Sequence, residues 1–178
     1  MVSILIYRTF RFKLKRKLKW AHAAINLASI IFISFGLAAA IYYHEKVNIA
    51  HFYSLHSWLG LLAIILFVSQ YIVGFVTYLY PGVSLRTRVR VMHIHRFAGM
   101  GIFILACGTI FTGLNEKAIF SLKKYSDYPA AGLLINLVAI LLIAYASLVL
   151  YLVTRPDWIR IPLSELHPNG NEQIQMKK

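Results

Sequence analysis

Charge is scarce in this chain, and most of it has one sign. Charged residues make up 14% of the 178, and only six residues are acidic; a soluble domain carries about 25% charged residues. Apolar residues reach 59%, where a soluble domain holds about 45–50%. This balance excludes an ordinary soluble domain and indicates an integral membrane protein before any segment is inspected. Cysteine is almost absent. The lone Cys107 excludes an intrachain disulfide and leaves the redox compartment unread. Inside its apolar run it reads as a small packing residue. Acidic residues are missing from the long apolar runs, and Gly/Pro-broken helices do not recur. Both absences argue against a solute transporter or channel. Strict two-residue alternation is also missing, which argues against a transmembrane β-barrel. The net charge of +13 invites a nucleic-acid reading. However, the basic residues form short runs between apolar segments, as loops facing an anionic leaflet do. No nucleic-acid partner is expected.

Four apolar runs are long enough to cross a bilayer: Ala21–Tyr43, Leu55–Tyr80, Phe97–Leu114 and Pro129–Val153. The third is expected to begin earlier, near Val91. A span needs about 20 residues and must be helical, because lipid cannot satisfy backbone groups. The fold class is therefore an all-α integral membrane bundle of four transmembrane helices. Residues 1–20 read as the end of a helix followed by a basic segment, 21–154 as the membrane domain and 155–178 as a polar, disordered tail. The run Val2–Tyr7 is too short to span. It also lacks the charge-first order of a signal peptide. Fifteen of the nineteen Lys and Arg fall before the first span, between the second and third, or after the fourth. That asymmetry puts both termini in the cytosol.

Histidine carries the chemistry. His22 starts the first span and His95 the third, both from the basic side; His56 starts the second from the opposite side. Polar residues in a membrane are functional candidates. The alternative for any one of them is a histidine at headgroup level, hydrogen-bonded to a neighbour. Taken together, His22 and His95 can meet at one depth, with His56 one crossing away. Imidazole is the commonest metal ligand, and axial histidines hold haem iron between helices. His56 and His95 each have a glycine four residues on, Gly60 and Gly99. Such glycines either leave room for a flat macrocycle or simply pack helices closely. His93 competes with His95, which is preferred for its glycine. His44 and His51 lie in the outer loop and suit an acceptor, a metal ion or plain solvation. His167 has no functional reading.

At these residues the chain resembles the cytochrome b561 family of ascorbate-dependent transmembrane oxidoreductases, from Tyr7-Arg8 to about Trp158. Its most specific pieces are Tyr53-Ser54-Leu55-His56-Ser57-Trp58, Gly74-Phe75, Pro81-Gly82, Ser84-Leu85-Arg86, Gly113-Leu114-Asn115-Glu116 and Leu152 through Trp158. The resemblance implies six helices and two b-type haems, each held by two histidines. Electrons would pass from cytosolic ascorbate to monodehydroascorbate or ferric iron on the other face. It implies His22 and His95 as ligands of the cytosolic haem and His56 as one ligand of the outer haem. Arg8, Lys15 and Lys19 fall at cationic positions around cytosolic ascorbate, with Arg86, Arg88 and Arg90 as weaker candidates. His44 and Tyr53 fall near the outer acceptor. No residue is expected to form a covalent intermediate. A homodimer is implied, in a vesicle, lysosomal or vacuolar, or plasma membrane. Against that pattern the family's first helix and most of its second are missing, and with them the partner of His56. Three readings follow: a fragment, a shortened isoform binding one haem, or a ligand lent by another chain. A haem-deficient chain that pairs with a full-length relative is the alternative function.

Overall fold

The computed structural model describes residues 2–159 apart from 12, 14, 123 and 128. The polar tail from residue 160 on, His167 included, lies outside the described residues. Five helices follow in order: α1 (Val2–Thr9), α2 (Lys15–Lys46), α3 (Leu55–Tyr78), α4 (Leu85–Ser121) and α5 (Ala130–Thr154). Single 3-10 turns occupy Tyr125–Asp127 and Pro156–Trp158. No strand occurs among the described residues. Helices α2 to α5 are each long and apolar enough to cross a membrane. The 24 residues of α3 give about 36 Å of helix, more than the ~30 Å hydrocarbon core.

The helices outrun the apolar runs at their charged ends. α2 begins at Lys15, because Lys and Arg are good helix formers. α4 begins at Leu85 rather than near Val91, because Ser84 caps it: its hydroxyl accepts the Thr87 N–H at 3.2 Å. At the other end α4 runs past Leu114 to Ser121. Ser54 caps α3 in the same way, accepting the Ser57 N–H at 3.3 Å.

Buried side chains are few. Phe103 and Cys107 of α4 and Val149 of α5 form the core, and Ile4 and Leu5 of α1 pack on it. The lone cysteine is thus a packing residue. The eight residues of α1 pack against both α2 and α5. Its Ser3 is buried and donates to Asn26 Oδ1 of α2 at 2.8 Å. Phe32 and Phe35 face outward at 75% and 71% exposure. In water such a surface would aggregate; in lipid it is the expected outer face.

α3 and α4 form an antiparallel hairpin. Its turn uses Gly82 at φ +100, a conformation open to glycine and costly for other residues. Polar ties cross the interface at three depths. Tyr78 Oη donates to the Arg88 carbonyl at 3.2 Å, Gln70 Nε2 to the His95 carbonyl at 2.6 Å, and His56 Nδ1 to the Thr109 carbonyl at 2.9 Å. Between them Gly60 faces Thr109 Cγ2 and Gly99 faces Gln70 Nε2. Small residues and interhelical hydrogen bonds are what hold helices together in lipid. Replacing Gln70 with Leu should cost about 1 kcal/mol, read as a lower thermal midpoint of the chain in nanodiscs. An unchanged midpoint would remove Gln70 from the forces that hold the hairpin.

Candidate functional site

The basic end of the bundle brings together two of the expected histidines. His22 of α2 and His95 of α4 have ring centres 6.3 Å apart, with planes inclined at 63°. Tyr7 of α1 flanks His22 at 5.6 Å, and Tyr78 of α3 flanks His95 at 5.7 Å. Both histidines are half-buried, whereas His93 is exposed. The Nδ1–H of His22 donates to the Ser3 carbonyl at 2.8 Å. That bond fixes the tautomer and leaves Nε2 with a lone pair. His95 Nδ1 is buried and has no hydrogen-bond partner among the described residues.

These features fit a metal-centred group held between the two rings. A metal–nitrogen bond of about 2 Å sets each ring centre about 3 Å from the metal, so opposed imidazoles on one ion have centres roughly 6 Å apart. The observed spacing agrees. An orphaned, buried ring nitrogen is costly unless the site serves something beyond the protein's own atoms.

The glycines that make room for the rings are not the ones singled out by spacing. Gly60 and Gly99 contact the neighbouring helix, so their part is helix packing. It is Gly74 that faces His95, where an added Cβ would stand 2.9 Å from Cε1. Gly113 does the same for His56, with a Cβ at 2.8 Å from Cε1. Each histidine therefore lies against a glycine of the opposing helix. The signal was present in the sequence: eighteen residues separate His56 from Gly74 and, equally, His95 from Gly113. Asn26, Gln70 and the carbonyls of Ser3 and Thr109 also escaped sequence reasoning. The two amides were legible as polar residues within apolar runs; the carbonyls leave no trace in side-chain identity.

Cations crowd the same end. Lys19 is within electrostatic range of Lys15 and Arg88, and its Nζ reaches the Tyr78 carbonyl at 3.4 Å. Arg88 Nε is buried and has no hydrogen-bond partner among the described residues. That places Arg88, ranked low on sequence, in the cluster, while Arg86 and Arg90 are exposed. Arg8 has a different engagement. Its guanidinium donates to the carbonyls of Val153 and, at 2.6 Å, Arg155, which end α5. A cation suits those unpaired carbonyls. Desolvation, and then the nearby Arg96, lowers the pKa of Arg8 from its ordinary value.

At the opposite end His56 stands alone, with no second imidazole in ring contact among the described residues. His44 ends α2 and stacks on His51. Tyr53 packs edge-on to Phe120 at 6.5 Å. Desolvation and the Glu116 carboxylate raise its phenol above the ordinary pKa. Glu116 also accepts from Ser54 Oγ at 3.1 Å. His44 therefore lies in the last turn of α2 and not in the outer loop where the sequence put it, because the helix continues past the apolar run to Lys46; Tyr53 is in the loop, and the two have different ring neighbours.

Comparison with known proteins places this geometry in context. The family model described as eukaryotic cytochrome b561 matches residues 2–121. The chain is 42% identical over 159 residues to the transmembrane ascorbate-dependent reductase CYB561 of Sus scrofa, covering 89% of this chain and 63% of that protein. It is 40% identical to its Homo sapiens counterpart over the same shares. It is 35% identical over 186 residues to the plasma membrane ascorbate-dependent reductase CYBRD1 of Mus musculus, covering 99% of this chain and 63% of that protein. The chain thus spans a little under two thirds of the length of these relatives.

The glycine contacts lead to a site-resolved prediction. Gly74→Ala should shift the imidazole 15N resonances of His95 and leave those of His56 unmoved, and Gly113→Ala should do the reverse, each costing about 1–3 kcal/mol of overpacking. Gly36→Ala, which meets nothing within 4 Å, should move neither. Equal responses to all three would break the pairing of glycine with ring.

Proposed function

Because the chain belongs to the eukaryotic cytochrome b561 family, we propose that it is an oxidoreductase moving electrons across a membrane, from cytosolic ascorbate to monodehydroascorbate or ferric iron on the opposite face. The observation that carries this reading is the His22–His95 pair, 6.3 Å between ring centres, beside the Lys15, Lys19 and Arg88 cluster. The family implies haem b; His22 and His95 would hold one, and His56 would give one ligand to a second. Bound there, haem supplies a one-electron iron couple that protein side chains lack.

The chain's own residues do the remaining work. The Ser3 carbonyl orients His22 and sets its tautomer. Gly74 lets the His95 ring lie close against α3. Lys15, Lys19 and Arg88 raise the local concentration of ascorbate, a monoanion at neutral pH, in a setting where low-dielectric walls focus their field. Arg8 contributes to that field while it ends α5. His44 and Tyr53 receive the acceptor on the far side, and the phenol of Tyr53 stays protonated as a hydrogen-bond donor. The basic end faces the cytosol, because basic segments are retained there. The protein is an integral multi-pass membrane protein, and we assign it to a vesicle, lysosomal or vacuolar, or plasma membrane, as a homodimer.

One observation favours a second reading. No second imidazole meets His56 among the described residues, which suits a haem-poor chain that pairs with a full-length relative.

The spectrum of the purified chain separates the two. Under the leading reading, ascorbate reduces a bound haem b, and His22→Ala and His95→Ala each remove most of that signal. Unchanged spectra in both variants would defeat the ligand assignment. A ratio near one haem per chain matches the His22–His95 pair, and a ratio near two requires a His56 partner from elsewhere. A chain without any haem supports the second reading. Lys19→Ala and Arg88→Ala should keep the haem yet need about tenfold more ascorbate for half-reduction, the loss of one charge-assisted contact. Unaltered ascorbate dependence in both would dissociate the cluster from the donor.

A further inference from the structure

One face of α2 grips a single residue of α1 at two points. His22 and Asn26 lie four residues apart on α2, so they share a face. Ser3 of α1 meets both. Its carbonyl accepts the His22 Nδ1–H at 2.8 Å, and its hydroxyl donates to Asn26 Oδ1 at 2.8 Å. Four residues further along α1, Tyr7 stands against the His22 ring, with ring centres 5.6 Å apart. The two helices thus mate in antiparallel register, Ser3 opposite Asn26 and Tyr7 opposite His22. Ser3 is 4% exposed and Asn26 is half-buried, which keeps their bond out of water. The serines of α2 behave differently. Ser29 and Ser34 donate back to the Ile25 and Ile30 carbonyls of their own helix, at 2.9 and 3.0 Å.

A backbone carbonyl that orients a ring must itself be held. A turn of α1 about its own axis swings the Ser3 carbonyl off the ring. Arg8 fastens the far end of α1 to α5, and Ile4 and Leu5 pack on the core. The first contact acts five residues away, and apolar packing has no preferred direction. A hydrogen bond does have one. The Ser3 hydroxyl makes it from the residue that carries the carbonyl to the face that carries the ring, and Asn26 is its anchor. The need is greatest at His22. The facing ring, His95, has a buried Nδ1 with no hydrogen-bond partner among the described residues. The 63° between the ring planes therefore takes its directional support from the His22 side. Groups behind a ligand histidine set its tautomer, ring direction and basicity.

We propose that Asn26 is a positioning residue for His22. Through the Ser3 hydroxyl it aims the Ser3 carbonyl. That carbonyl sets which nitrogen of His22 keeps its proton and which way Nε2 points. The positioning stands on α1 and α2 alone. Its consequence for haem rests on the function proposed above: a ring held in one direction retains the iron more tightly.

The test uses the full chain in nanodiscs, first without haem and then loaded with haem b. Without haem, histidine 15N spectra of the parent should show His22 in the Nδ1–H tautomer. Asn26→Leu and Ser3→Ala should each move the His22 resonances toward a mixture of tautomers. Those of His56 should stay in place, which reports an intact fold. Ser3→Ala keeps the helix and the carbonyl and removes only the hydroxyl. Ser29→Ala, which loses a bond within α2 alone, should change nothing. With haem, both variants should raise the haem dissociation constant about tenfold. Both should also alter the low-spin ferric EPR signal, which follows the mutual angle of two axial imidazoles. The double variant should do no more than either single one, because the two residues act through one bond. His22 resonances that stay put in both variants, or His56 resonances that move with them, overturn the proposal. Effects that multiply in the double variant overturn it too. A parent that takes up no haem while His22 responds as expected would sink only the function proposed above.

Discussion

The register between α3 and α4 decides where the chemistry sits. The two helices run antiparallel, and each lays the histidine near its start against a glycine near the end of the other. Because the interval is eighteen residues in both, one register satisfies both contacts at once. At 1.5 Å per residue it also separates the two histidine levels by about 27 Å, close to the thickness of the hydrocarbon core. A slip of one residue would drive both rings into backbone-bearing surface without the relief a glycine gives. It would also misalign the ties from Gln70 and Tyr78. The hairpin thus works as a ruler that sets one imidazole at each face.

The basic end carries an electrostatic cost. Lys19 lies within electrostatic range of both Lys15 and Arg88, and Arg8 lies near Arg96. Like charges held together in partial burial repel, and a buried guanidinium N–H without an acceptor forfeits a hydrogen bond. An anion that enters this cluster relieves both costs. Among the described residues the opposite end shows no comparable crowd: Lys124 pairs with Asp127 at 3.9 Å, and the Glu116 carboxylate accepts from Ser54. The two ends therefore differ in the charge of what they favour.

Most of the fold was legible from apolar run length, because lipid leaves a segment only one way to satisfy its backbone. The ends were less so. Lys15 through Trp20 and Leu85 through Arg90 are helical although charged, since propensity and a serine cap continue the helix where the apolar run stops. The histidines were found because a polar ring in an apolar run is conspicuous. The glycines were found at the wrong interval: four residues is the within-helix neighbour, whereas the contact that matters crosses between helices. Cross-helix register depends on packing, which spacing along one chain encodes only through coincidences such as the repeated eighteen. Arg88 was one of three similar arginines, and only its burial sets it apart.

The orientation of the rings was the least legible part, for a physical reason. His22 and His56 each donate Nδ1–H to a backbone carbonyl, Ser3 in one case and Thr109 in the other. Any residue supplies a carbonyl, so no side-chain identity marks these positions. Yet the carbonyl fixes both the tautomer and the direction of the remaining lone pair. It follows that α1 belongs to the site as much as the spans do. Ser3 is pinned to α2 through Asn26, Ile4 and Leu5 are packed on the core, and Arg8 is fastened to the end of α5. Those three attachments hold one carbonyl in place, and a displacement of α1 would turn His22 without touching its own helix. The orientation of the rings is in that sense a property of how the helices pack, carried by backbone atoms that a single sequence cannot display.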